Sequence, residues 1–224
     1  MQGKHVVVTG GTGALGAGVV EALLAGGAVV HLPIVEAELP AHLRGKAEGT
    51  RVSLDDEAAV TAYYAALPGL WASIHLVGGF AMAPVADTSL ADFDKQWRQN
   101  TVTCFLACRE AVKAMRRGGG GGRIVNVAAR PAVTPTAGMI AYATAKAGVA
   151  ALTQHLAAEV LGDGILVNAV LPSTIDSPAN RRSMPDADHA SWPKPAQIGE
   201  TIAFLASSRN ALTTGTLVPV YGRA

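Results

Sequence analysis

The feature that most narrows the choice of fold is an alternation. Short runs rich in β-branched residues recur between longer Ala/Leu-rich stretches along the whole chain. Strands are expected at His5 to Thr9, Ala28 to Leu32, Thr50 to Leu54, Ser73 to Val77, Arg123 to Ala128, Ile165 to Val170 and Thr216 to Val220. Helices are expected at Ala14 to Ala25, Glu57 to Ala66, Leu90 to Gln99, Thr101 to Arg116, Tyr142 to Leu161 and Pro195 to Ala206, with Ser89 capping the third. Repetition of this kind builds a parallel sheet covered by helices on both faces. Several strand runs are apolar on consecutive residues, as strands buried on both sides require. The expectation is a doubly wound α/β fold, mainly a seven-stranded parallel sheet, in one domain over residues 1–224. The run Gly118 to Gly122 reads as a flexible turn into a strand, and Ser173 to Pro195 as a long surface excursion, a candidate lid.

Composition removes several function classes. Half the residues are hydrophobic and 16% charged, which argues against disorder. A formal net charge of +1 gives no basic surface for a nucleic acid. Lys4 and Val6 to Val8 imitate the start of a signal peptide, but the run breaks at once into Thr9-Gly10-Gly11-Thr12-Gly13. No apolar run approaches the roughly 18 residues that a membrane span needs. The expectation is a soluble cytoplasmic protein with no nucleic-acid or membrane partner. Cys104 and Cys108 sit four apart in a helical stretch and read as reduced core residues. The six histidines show no metal-ligand spacing, so no metal is expected.

The first strand runs into Thr9-Gly10-Gly11-Thr12-Gly13-Ala14-Leu15-Gly16, in which Gly11, Gly13 and Gly16 satisfy G-x-G-x-x-G. A glycine turn between a strand and a helix lets backbone N–H groups approach a pyrophosphate, and the helix dipole adds to the attraction. Dinucleotide binding and a Rossmann-type arrangement follow. An acid at the end of the second strand usually holds the adenosine ribose. Here Pro33 stands near that end, Glu36 comes a few residues late, and no Arg or Lys stands beside it. The choice between NAD and NADP stays open, and the nearest charges, Glu36 and Glu38, incline it toward NAD.

Further along, Tyr142 and Lys146 form Y-x-x-x-K. On a helix these positions share a face. An ammonium beside a phenol favours phenolate and lowers the tyrosine pKa, so Tyr142 becomes a proton donor and acceptor near neutral pH.

Together these residues resemble the short-chain dehydrogenase/reductase family over the whole chain. The pieces occur in the family's order: Thr9 to Gly16, Asn100, Arg123-Ile124-Val125-Asn126-Val127, Tyr142 with Lys146, and Asn168-Ala169-Val170-Leu171-Pro172. The resemblance implies an NAD- or NADP-dependent oxidoreductase. It makes Tyr142 the general acid/base, Lys146 the residue that holds the nicotinamide ribose, and Asn100 the holder of a water behind Lys146. Gly10, Thr12, Gly13, Ala14, Leu15 and Gly16 would line the pyrophosphate, Ser53 and Leu54 the adenine, Gly78 and Gly79 the ribose. Pro172, Ser173, Thr174 and Ile175 would lie along the carboxamide. The resemblance also implies a homodimer or homotetramer built on the helices Thr101 to Arg116 and Tyr142 to Leu161.

One departure bears on the substrate. Thirteen residues before the tyrosine, where the family has a catalytic serine, stands Ala129. Losing such a donor typically costs a few kcal/mol in the transition state. Three readings stand: a dinucleotide-binding member that is catalytically weak, a substitute hydroxyl from Thr134 or Thr136, or a substrate other than a simple alcohol or ketone. Dihydropteridine reductases carry alanine there too, and resemble this chain in Ala129-Arg130, Gly138 to Tyr142, Gly78-Gly79-Phe80 and the lid down to Trp192. That likeness implies a quinonoid dihydropterin; the alternative is a small carbonyl compound. Ala129, Arg130, Met139, Met184 and Trp192 are the candidate substrate contacts.

Overall fold

A computed structural model describes residues 1–224. The strands are β1 (His5–Thr9), β2 (Val29–Ile34), β3 (Glu48–Arg51), β4 (Ala72–His75), β5 (Gly122–Val127), β6 (Ile165–Pro172) and β7 (Leu217–Val220). All pair in parallel, in the order β3-β2-β1-β4-β5-β6-β7. The helices are α1 (Ala14–Ala25), α2 (Glu57–Ala65), α3 (Leu90–Trp97), α4 (Thr103–Arg117), α5 (Ile140–Glu159), α6 (Pro178–Ser183) and α7 (Pro195–Ala206). None is long and apolar enough to cross a membrane.

The period-two alternation of the strands divides the core between two faces. Val6 and Val8 of β1 pack with Val19, Leu23, Ile198 and Ile202 of α1 and α7. Val7 points the other way, toward Val60 of α2, Leu106 and Ala111 of α4 and Val149 of α5. The doubly wound seven-stranded sheet expected from the alternation is present. Because β1 lies between β2 and β4, successive connections leave it in opposite directions. That opens a crevice beyond the carboxyl ends of β1 and β4.

Three local expectations need correction. β3 ends at Arg51, so Ser53 and Leu54 lie in the loop beyond it and not in the strand. The two helices expected on either side of Asn100 are one continuous rod, in which a π-helical turn, Arg98–Val102, joins α3 to α4. The five-glycine run is less a loose tether than a sharp exit. Gly118 closes α4, Gly119, Gly120 and Gly121 all take positive φ, and Gly122 already belongs to β5. The excursion after β6 carries α6, with Ser177 accepting a hydrogen bond from the Asn180 amide at its start.

α1 and α7 approach until their backbones touch. A Cβ at Gly199 would stand 2.5 Å from the Gly18 carbonyl oxygen. Gly199→Ala is expected to cost about 1–3 kcal/mol through overpacking, despite alanine's better helix propensity. Urea unfolding reads this directly, and an unchanged midpoint would contradict the contact.

Candidate active site

The glycine turn divides its labour. Gly10 adopts φ +70°, and a Cβ there would stand 3.1 Å from the Val77 amide nitrogen beyond β4. A Cβ at Gly11 would strike Leu32, and one at Gly16 would strike the Gly11 backbone, each at 2.5 Å. These three glycines make the turn possible. Gly13 differs: a Cβ there would meet only the Gly10 carbonyl, at 3.4 Å. It caps α1 without a side-chain hydrogen bond, and the first turn of α1 holds no acid. The result is an open helix N-terminus with uncompensated N–H groups, suited to an anionic phosphate.

Beside it lies a cavity of about 270 Å³, lined by Gly10, Thr12, Glu36, Ser53, Leu54 and Val77 among others. The Thr12 hydroxyl donates to Glu36 Oε1 at 3.2 Å, drawing the carboxylate over the cavity although it sits beyond the end of β2. Asp55 and Arg98 also line it, which the strand pattern had not indicated. The Ser53 hydroxyl donates to Asp55 at 2.5 Å and holds that carboxyl below its ordinary pKa.

At the other end of the crevice Tyr142 and Lys146 occupy successive turns of α5. Lys146 is 5% exposed, and its Nζ donates to the Val127 carbonyl at the end of β5, at 2.9 Å. Nζ lies 6.0 Å from the centroid of the Tyr142 ring. Burial lowers Lys146 to about 8 and pushes Tyr142 up to about 12. The expected depression of the tyrosine pKa is therefore corrected for the protein alone. Desolvation outweighs an ammonium that spends a hydrogen bond on a carbonyl.

Asn100 completes the group from the π turn. Its Nδ2 donates to the Gln96 carbonyl at 2.9 Å and the Gly79 carbonyl at 3.1 Å, while its fully buried Oδ1 has no partner. That oxygen and Lys146 Nζ converge on Gly78, where a Cβ would stand 2.5 Å from the first and 3.1 Å from the second. Any larger residue at position 78 would fill the space between ammonium and open acceptor.

Below this floor runs a buried chain of hydrogen bonds. Asn126 Nδ2 donates to Thr153 at 2.9 Å, so its Oδ1 accepts from His75 Nδ1 at 2.7 Å. His75 Nε2 is left to accept from Ser73 at 2.8 Å, and Ser73 from Tyr64 at 2.8 Å. The thiols of Cys104 and Cys108 lie beside His75, and the three ligand-type atoms are mutually within 4.8 Å. Sequence spacing did not foresee that grouping. Both imidazole nitrogens are already engaged in the chain.

The chain as a whole finds counterparts among known proteins. A family model described as short chain dehydrogenase matches residues 4–188. The chain belongs to that family. It is 30% identical over 245 residues to the D-threitol dehydrogenase of Mycolicibacterium smegmatis, covering 99% of this chain and 93% of that one. It is 31% identical to y4vI of Sinorhizobium fredii, an uncharacterised short-chain type dehydrogenase/reductase, covering 98% of this chain but only 43% of that longer one. The crystal structure of a dehydrogenase/reductase from Sinorhizobium meliloti 1021 superposes with a TM-score of 0.87 at 28% identity, covering 99% and 95% of the two chains.

In this short-chain dehydrogenase the substrate side is less conventional. Ala129 follows β5 in extended backbone and is buried. Thr136 spends its hydroxyl on the Thr134 carbonyl, and both threonines lie on an exposed loop. Arg130 turns toward the last residues of the chain: Nη1 donates to the Ala224 carbonyl at 2.9 Å, and the guanidinium lies 5.1 Å from the Tyr221 ring centre. Ser173 donates to the Tyr221 carbonyl at 2.7 Å, which docks the residues after Pro172 on the same tail. Thr174 and Ile175 follow half-buried, Ile175 against the α1–α7 side of the core. Met139 precedes α5, and Met184 stands partly exposed at the end of α6. Trp192 is 7% exposed and packs on His189, so it anchors the lid and is not an open wall.

The lowered Lys146 pKa carries a sign that can be tested. The unfolded lysine keeps its proton up to about 10.5 and the folded one only to about 8. Between these values the unfolded state binds more protons, so stability rises with pH. Relative to Lys146→Met, the wild-type unfolding free energy is expected to climb by about 1 kcal/mol per pH unit between about pH 8 and pH 10. A flat difference in denaturant titrations would contradict a desolvated ammonium.

Proposed function

We propose that this oxidoreductase transfers hydride between NAD and a small substrate, with Tyr142 handling the proton. The observation that carries the reading is the convergence of Lys146 Nζ and the open Asn100 Oδ1 on the bare Gly78 position, at the same crevice as the glycine turn. When bound, the nicotinamide supplies or takes the hydride, and its oxidised ring is positive. The amides of Ala14, Leu15 and Gly16 would hold the pyrophosphate, with Gly13 keeping the approach open. Ser53 and Leu54 would flank the adenine, and Lys146 the nicotinamide ribose. Gly78, Gly79 and Pro172 to Ile175 would border the nicotinamide end. A tyrosine raised to about 12 is neutral at neutral pH and donates its proton during reduction. Lys146 keeps further N–H donors beyond the one on Val127, and the open Asn100 Oδ1 would hold a water on the route by which Tyr142 regains a proton. Tyr142→Phe is expected to lower kcat by at least about a hundredfold and leave the dissociation constant of NADH within about twofold. Stopped-flow turnover and NADH fluorescence titration measure the two, and equal turnover by the variant would refute the assignment.

The preference for NAD rests on the adenosine end of the cleft. Glu36 and Asp55 line it against one guanidinium, Arg98. A carboxylate held at Thr12 accepts from ribose hydroxyls and repels a 2′-phosphate. Glu36→Gln is expected to reduce the NADH-over-NADPH ratio of kcat/KM by roughly tenfold. A wild type that favours NADPH would sink this part of the reading.

For the substrate, the missing hydroxyl at Ala129 favours a ring that accepts hydride without a donor on its oxygen, quinonoid dihydropterin being one such compound. A second reading, reduction of a small carbonyl compound, draws on the likeness to the threitol dehydrogenase. Parallel assays of both substrate types with NADH and NADPH separate them. The half-exposed Phe105 and the groove it forms with Val112, Leu152 and Leu156 between α4 and α5 support a homodimer or homotetramer. The two buried free cysteines agree with a reducing cytoplasm.

A further inference from the structure

We propose that Phe80 is a shelf on which a flat, electron-poor conjugated ring of quinone or quinonoid-imine type lies against Tyr142. The proposal rests on the hydride-transfer reading above and names its substrate class. The Phe80 ring meets the Tyr142 ring at 4.9 Å and 84°, an edge contact, yet remains 60% exposed. An aromatic side chain this exposed leaves most of its apolar surface in water. Here that surface adjoins the catalytic phenol.

Its position is built from both sides. The Gly79 carbonyl just before it accepts from Asn100 Nδ2 at 3.1 Å. The Ala83 amide just after it donates to the Gly138 carbonyl at 2.9 Å, on the loop that leads into α5. The segment bearing Phe80 is thus pinned to the two elements that carry Asn100 and Tyr142. Met82, 55% exposed with its Cε near Gly138, and Ile140, 47% exposed, are the apolar side chains of the same two segments.

Ring geometry then dictates orientation. A planar ligand stacked on Phe80 stands perpendicular to the Tyr142 ring and presents its rim, with its in-plane lone pairs, to the phenol side. The ring gains a hydride at one atom, the Tyr142 O–H bond breaks, and an N–H or O–H bond forms on the ring. A bound reduced nicotinamide would supply the two electrons with the hydride. No hydroxyl at position 129 is needed, because a quinonoid ring gains conjugation energy on reduction. An acyclic polyol finds no stacking on this surface.

The test compares a naphthoquinone with an acyclic diketone, each reduced by the full-length protein with saturating NADH. Stacking of this kind is worth roughly threefold to tenfold. In Phe80→Leu, which keeps the apolar bulk, the quinone-over-diketone ratio of kcat/KM is expected to fall about fivefold, through KM of the quinone. Phe80→Trp is expected to restore it. An unchanged ratio in Phe80→Leu overturns the proposal, as does a wild type that turns over only the diketone; both leave the hydride-transfer reading standing. Loss of turnover on both substrates in the wild type overturns the hydride-transfer reading and this inference with it.

Discussion

A single buried ammonium organises the functional end of this molecule. Lys146 sits almost wholly out of water, and a charge there is tolerable only with a partner. The partner is the last carbonyl of β5. That one hydrogen bond joins the sheet to α5 one turn beyond Tyr142. With Asn100 Oδ1, the ammonium leaves no room for a side chain at position 78, and the phenol's own desolvation goes unopposed in the protein alone.

From this anchor the crevice divides into two chemical environments. The end beside the glycine turn is net acidic, with Glu36 drawn in by a threonine and Asp55 held by a serine. The substrate end has lost a hydroxyl at Ala129 and carries exposed aromatic and aliphatic surface. Arg130, the nearest cation in sequence, is turned away to the final residues of the chain. Tyr142, Lys146 and Asn100 stand at the centre, while position 129 offers no hydroxyl and Arg130 points elsewhere.

How much of this was legible depended on the kind of interaction. β1, α1 and α7 begin and end where the residues suggest, since glycine or proline punctuates apolar runs there. β3 does not, because Glu48-Gly49-Thr50-Arg51 is an exposed edge whose strand character comes only from pairing with β2. The pairing of Tyr142 with Lys146 was readable from helical spacing. Their pKa values were not, since desolvation depends on every element packed around them. Arg130 meeting Ala224, 94 positions away, leaves no local trace in the sequence. Nor does the contact between the Phe80 and Tyr142 rings.

The π turn at Arg98–Val102 has a further consequence. A regular helix advances about 100° per residue, so the one surplus residue sets the rotation of everything beyond it. Cys104, Cys108 and Ala111 face the core only because of that surplus, while Phe105 looks outward. Deleting one residue there would regularise the hydrogen bonding and swing α4's buried stripe toward solvent. The rod is therefore counted as well as coiled: its length between Trp97 and Thr103 fixes which side of α4 is buried.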